Sequence, residues 1–570
     1  MPLKYIEKRI SLLLPWGVGL TTIFVLTGSI SDPVNTTKLL LAGAFAGALL
    51  FVLGAKGITS IWNRNKLFVS ALGLFVIFSI WATLMSDSPL VQNIYGVYGR
   101  NTGLLTYFVL AIFSASAVIL ENEKQIRKLL IAFLAAGVVN LTYGLWAWQF
   151  GDFVAWNNIY GNLLGTFGNP NFMGAFLGML FAVVLTYSIA PKIPMKYRFV
   201  GFALLILISF EIVETHAVQG VVVSAGAALL CGFFWIWFQF RSKLLTLFYV
   251  AMSAVLGIFA VLGALQIGPL TELIYKRSVS LRGAYWHAGI EMGLMHPFTG
   301  VGMDSYGNWY RRTRTVSAVT DMPGAEVTSN AAHNVFLDFF AYGGFPLLIA
   351  YVAIVTTGLI SFLRVAKRQV TFNPLLIALG VAWICFQAQS LISINQIGLA
   401  IWGWVFTGAL VAYERFTRVD SAIVGTESSA KAKTLKPTKN QRDFDSTGLR
   451  AFLGLIVGIL ISIPPFTADV SYQTALNARS AASMEKALVS NYFKPTDSYR
   501  LANTVQVFEK SNLPELARKY AQIGVEFNPD YTDAWKMLYY VTGATKEEKA
   551  MAKTELIRLD PLNPAWKELP

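Results

Sequence analysis

Apolar runs of about 18 to 22 residues recur along the chain from Ser11 to Val470, divided by short polar segments. Runs of that length suit helices that cross a bilayer, because a helix satisfies its own backbone N–H and C=O groups where no water is present. A barrel would show short alternating segments instead, and these are absent. The pattern predicts spans at 11–30, 37–57, 67–85, 103–120, 128–149, 172–190, 199–214, 218–239, 246–267, 333–362, 374–394, 398–413 and 451–468. The expected fold class is an all-α polytopic membrane protein with about 12 or 13 transmembrane helices.

Charge sets the sidedness of these spans. With the N-terminus inside, the connections carrying Arg64/Lys66, Lys124/Arg127/Lys128, Lys192/Lys196/Arg198, Arg241/Lys243 and Arg364/Lys367/Arg368 all fall in the cytoplasm, as the positive-inside rule asks. The segments 86–102, 150–171, 215–217, the large loop 268–332 and everything beyond the last span then face out. The expected division is a transmembrane part at 1–415 with the outer loop 268–332, a basic cytoplasmic linker at 416–450 lying along membrane lipid, the last span at 451–468, and an outer tail at 471–570. In that tail, helical patterns such as LPELARKYAQIGVEF followed by Asn528-Pro529 and Asp560-Pro561 resemble tetratricopeptide repeats, whose stacked helices would offer a surface to a protein partner.

Composition agrees: of 570 residues 55% are hydrophobic and only 14% charged, against roughly 25% charged in a soluble domain. The net charge of +14 sits mostly in the inner loops, so no nucleic-acid partner is expected. Lys4, Lys8 and Arg9 before the first apolar run look like the start of a signal peptide, but no small-residue cleavage site follows, which predicts an uncleaved first helix. Cys231 and Cys385 lie inside apolar runs and suggest neither a disulfide nor a metal framework. No paired histidine spacing, Asp-x-Asp pair or phosphate-binding glycine loop appears, so no metal or other cofactor is expected.

Candidate chemistry gathers on the outer side. Loop 268–332 holds Lys276, Arg277, Arg282, Arg311, Arg312 and Arg314, against the charge bias of outer loops. A diphosphate would explain such arginines, since the guanidinium fork matches phosphate oxygens; salt bridges with Asp304, Asp321 and Glu326 are the alternative for Arg311, Arg312 and Arg314. His333, with Asn334 beside it, stands where the loop enters an apolar helix and is a candidate proton acceptor. In GTFGNPN at 165–171, Asn169 or Asn171 caps a helix whose first amides suit an anion. In YGVYGRNTG at 95–103, Arg100 lies between glycines, and Tyr95 and Tyr98 are equally at home as interfacial anchors. Glu214 and His216 sit at a short outer turn, where ionisable groups are candidates for function.

Two strings, RGAYWHAGIEMGLMHPFTGVGMDSY from Arg282 and HNVFLDFFAYGGFP from His333, with GTFGNPN and GRNTG as further landmarks, resemble the signature of the O-antigen ligase and polymerase family. The resemblance runs from about 95 to 415. It implies a GT-C-like membrane fold and metal-independent, inverting transfer of a glycan from undecaprenyl diphosphate to an acceptor, which is another glycan, a lipid A core or a protein. It also implies that Arg282 holds the lipid diphosphate and His333 activates the acceptor. Many ligases carry a Ser-Arg-Gly string before the eighth span, where this chain reads THAVQG, so Gln219 stands in place of a second arginine. His216, Arg100 or an arginine of 311–314 is the expected substitute. The alternative functions are transport of lipid-linked sugars, which favours charged residues in mid-membrane and broken helices in two related halves, and protein O-glycosylation.

Overall fold

The computed structural model describes residues 2–156, 158, 161–275, 277–424 and 445–570. It is all-helical, with no strand among the described residues beyond one isolated bridge, Asn491 to Lys494. A helix lies at each position where the apolar pattern predicts a span. Eight of the described helices are long and apolar enough to cross a membrane, or nine if the bent pair Thr447–Ser462 and Pro464–Ala478 is one span. The shortfall against the expected number has local causes. Leu104–Ala117 and Pro374–Ser390 are short, Leu3–Ile23 opens with Lys4, Glu7, Lys8 and Arg9, and Met195–Glu214 carries Lys196, Arg198, Glu211 and Glu214.

The helices differ in what surrounds them. Within Ile397–Val424 the residues Trp402, Val405, Phe406, Ala409, Leu410 and Tyr413 are wholly buried, so this helix forms the axis of the bundle. Lys243–Ala264 buries only Thr246 and Gly263, and its Leu, Phe and Val side chains are exposed as lipid-facing ones are. The last span closes against Asn35–Arg64 through small residues. A Cβ on Gly47 would strike the carbonyl of Gly454, and one on Gly458 the carbonyl of Gly43, so four-residue glycine spacing on both helices brings the backbones together.

The segment 268–332 is not an open loop. It holds the helices Thr271–Ile274, Arg277–Met295, Tyr306–Thr313 and Val316–Thr320, and Lys276 lies outside the described residues. Its turn at 297–302 locks onto the helix Val335–Arg368, which breaks at Gly343 and Gly344 ahead of Pro346. The break frees the carbonyls of Ala341 and Tyr342, which accept hydrogen bonds from the amides of Val301 (2.8 Å) and Gly302 (3.1 Å), while Phe345 N–H donates to Pro297 (2.8 Å). Gly344 has φ +64° and a Cβ there would meet Pro297, so the two sequence strings that carry the resemblance interlock through backbone that only glycine allows.

Beyond the axis helix the expected linker begins late: residues 416–424 continue Ile397–Val424, and 425–444 lie outside the described residues. The tail starts as the bent continuation of the last span, turning by 50° at Ile463. It then runs through Ala481–Leu488, Ser498–Lys510, Pro514–Phe527, Thr532–Tyr540, Lys546–Leu559 and Ala565–Glu568. These helices have their own apolar core, which includes Leu501, Phe508, Ala517, Leu538, Leu556 and Trp566.

Candidate functional site

A cavity of about 440 Å³ opens where the N-terminal ends of several helices meet. Asn35 is the first residue of Asn35–Arg64. Asn169 caps Pro170–Ile189 and accepts from the amide of Asn171 at 2.9 Å. Gln219 is the second residue of Val218–Phe240, Gln396 directly precedes Ile397–Val424, and Asn334 caps Val335–Arg368 just after His333. Asn35, Asn169, Asn171, Gln219, His333 and Gln396 all line the cavity, so five helix N-termini, each with partial positive charge, converge on one space.

Full charges reinforce these dipoles. Arg282 reaches in from Arg277–Met295, its Nε donating to the carbonyl of Ile392 at 2.9 Å. Burial pulls the Arg282 guanidinium below its ordinary pKa, with Tyr285 opposing the shift. Arg100 enters from the opposite loop and forms no salt bridge among the described residues. Its loop is held by Asp304, wholly buried, which accepts from Val97 N–H (2.8 Å) and Thr102 Oγ1 (3.2 Å). Burial raises the Asp304 pKa, while Arg100 and these donors draw it back. Among the described residues no Asp or Glu lines the cavity.

His333 sits on a left-handed turn, φ +55°. Asp338 holds that turn by accepting from the amide of Ala332 at 2.7 Å, and Asn334 accepts from Phe336 N–H (3.0 Å) and Leu337 N–H (3.2 Å). The ring of Tyr285 stacks on the imidazole at 5.5 Å, and Tyr306 Oη donates to the Tyr285 carbonyl at 2.6 Å. Burial pushes the His333 pKa down to about 3, with the positive charges of Arg100 and Arg282 adding to it, so the imidazole is neutral at ordinary pH.

Of the residues singled out from sequence, the structure gathers His333, Arg282, Arg100, Asn169, Asn171 and Gln219 around this space. Gln219 Nε2 donates to Gln389 Oε1 at 2.9 Å, and its own oxygen is buried with no donor. Four residues stand elsewhere. Asn334 faces its helix as a cap, and exposed His216 lies on its turn with Nδ1 2.9 Å from the Glu214 carbonyl. Arg311 pairs with Asp560 at 3.1 Å and Arg312 with Asp530. The acids expected beside these arginines were Asp304, Asp321 and Glu326; their salt-bridge partners come from the tail, because folding brings Asp560 and Asp530 over the helices of 268–332. Arg100 is therefore the one expected substitute for the missing arginine that reaches the cavity.

Sequence reasoning missed Asn35, Tyr285, Ser393, Asn395 and Gln396. The predicted spans leave 31–36 and 395–397 as connections, and connections so short read as mere turns. The available signals were the polar residues Ser393, Asn395 and Gln396 between two apolar runs, and the position of Tyr285 three residues after Arg282 on one helix face. Among the described residues no three of His, Cys, Asp and Glu gather as a metal site requires.

Residues 212–352 match the family model Wzy_C, described as O-antigen ligase, a stretch that contains both Arg282 and His333. No curated protein matches the chain.

Proposed function

With the match supporting the O-antigen ligase and polymerase family for this multi-pass membrane protein, we propose that the chain transfers a glycan from undecaprenyl diphosphate to an acceptor hydroxyl on the outer face of a bacterial inner membrane. The observation that carries this reading is the cavity at the helix N-termini, which is lined, among the described residues, by two arginines and a neutral histidine and by no carboxylate. Such a lining favours a dianion over any neutral or cationic ligand.

In this reading the diphosphate lies against Arg282 and Arg100 with the helix N-termini behind it, and the lipid tail lies along the bundle. As the bond from the anomeric carbon to the diphosphate breaks, negative charge grows on the leaving oxygen, where preorganised donors are each worth on the order of 10²–10³ in rate. The acceptor oxygen attacks from the opposite side, inverting the carbon, and His333 takes the hydroxyl proton. A bound dianion offsets the field of the two arginines, so the His333 pKa rises from about 3 when the donor enters. The fold is then of the GT-C kind, the tail is tetratricopeptide-like with a surface for a protein partner, and the acceptor is a glycan, a lipid A core or a protein.

The test is transfer from purified undecaprenyl-diphosphate glycan by reconstituted wild type and His333→Ala, without nucleotide or added metal, with products resolved by size. Transfer that is lost in the variant supports the reading, and a ladder of lengthening products makes the enzyme a polymerase. Turnover at the wild-type rate in His333→Ala would end it, and glycolipid crossing the bilayer without transfer would make the protein a transporter.

A further inference from the structure

We infer that the seam between the tail and the outer face holds a second, saccharide-binding subsite, for the sugar that the diphosphate carries. This inference rests on the proposed function.

A small hollow of about 100 Å³ lies at that seam, with room for several waters or one sugar ring. Its walls come from both parts of the chain: Gln92, Tyr98, Asn308 and Asn330 from the membrane part, Tyr499 and Tyr531 from the tail. Among the described residues no Arg or Lys lines it, and its one carboxylate, Asp497, is paired with Arg500 at 2.8 Å. The two hollows thus differ in charge while sharing a wall, since Gly96, Val97 and Tyr98 line one and Gly99 and Arg100 line the other. A diphosphate bearing a neutral glycan has this same division.

The side chains suit a polyhydroxyl ligand. Tyr499 stacks on Tyr98 at 4.9 Å, nearly parallel, yet half its surface stays exposed, which leaves ring area for the C–H face of a sugar. Asn330 is exposed and makes no side-chain hydrogen bond among the described residues, so its amide offers both donors and acceptors to hydroxyls. Asn308 spends Nδ2 on Ser88 Oγ at 2.9 Å and keeps its oxygen. Gln92 is committed at both ends, donating to the Asp304 carbonyl (3.2 Å) and accepting from Asn528 of the tail (3.3 Å), and so joins the two walls. Its bond to Asp304 ties the hollow to the residue that holds the Arg100 loop.

The experiment measures binding of two probes to full-length protein in nanodiscs: undecaprenyl diphosphate alone, and the undecaprenyl-diphosphate glycan extracted from the cells that carry the protein. Wild type is expected to hold the glycan-bearing lipid more tightly. Arg282→Ala weakens both probes. Asn330→Ala and Tyr499→Leu each weaken the glycan-bearing lipid alone, by about five- to tenfold, the value of one hydrogen bond or ring contact. Resistance of the tail to protease reports whether Tyr499→Leu keeps it docked, and Asn330→Ala leaves the ion pairs of the tail untouched. Wild-type affinity for both probes in the seam variants, or equal wild-type affinity for the two lipids, would overturn the subsite and leave the proposed function standing. Failure of wild type to bind either lipid would overturn the proposed function itself.

Discussion

Arg314 Nη2 stands 2.6 Å from Asp560 Oδ1, and both side chains are wholly buried. The second oxygen of the same carboxylate accepts from Arg311 at 3.1 Å, so one tail residue anchors two arginines of the outer segment. Two cations are held there against one anion, and the carbonyl of Ala325 takes a further hydrogen bond from each guanidinium (2.8 and 3.0 Å). The helix Tyr306–Thr313 that carries Arg311 also presents Tyr310 to Tyr285, which in turn stacks on His333.

Asp560→Ala leaves two buried guanidinium groups without a counter-ion. Breaking a buried pair in this way costs about 3–5 kcal/mol, and the loss should appear as a lower unfolding temperature and as faster protease cleavage within 314–328. Unchanged stability and unchanged cleavage would show that the clasp contributes little.

The low pKa of His333 predicts two different pH profiles. In the free enzyme the imidazole loses its proton near pH 3, so kcat/KM stays flat from about pH 5 to 8. Under the proposed mechanism the bound donor raises the pKa, the protonated imidazole cannot accept the hydroxyl proton, and kcat falls as pH drops through that raised value. A kcat/KM limb near pH 6.5 would contradict the burial and charge argument.

Arg282→Lys keeps the charge and loses the planar fork. Transfer should fall by roughly 10²–10³, the effect of removing one preorganised donor to a developing anion, and the salt dependence of donor binding should persist. A rate within about twofold of wild type would assign the diphosphate to other groups.

Asp304→Asn removes the charge that faces Arg100 and weakens the bonds to Val97 and Thr102. Because the loop rather than the reacting atoms is disturbed, KM for the lipid donor should rise about tenfold with a smaller change in kcat. Steady-state kinetics at saturating acceptor separate the two.

Gly47→Val sets a branched side chain against the carbonyl of Gly454. The last span then cannot close on Asn35–Arg64, and the variant should unfold at a lower temperature than wild type; an unchanged unfolding temperature would show that the glycine contact contributes little.

Much of this protein is legible along the chain because the bilayer acts locally. A run of apolar residues must become a helix wherever it meets lipid, so a helix lies at each predicted span, and Arg282 and His333 stand out within contiguous strings. Charge or brevity sets some of these helices apart from the eight that are long and apolar enough to cross a membrane, as in Met195–Glu214 and Leu104–Ala117. Charge pairing, in contrast, is invisible to local pattern: Arg311 meets Asp560 across 249 positions, while Arg100 forms no salt bridge among the described residues and faces the cavity. The same holds for Asn35, Asn395 and Gln396, ordinary polar residues in short turns until five helix starts are packed side by side. Which helices exist follows from residue type and spacing. Which of their ends share one cavity, and which arginines line it, follows from packing, since Coulomb and hydrogen-bond energies depend on distance in space and not along the chain.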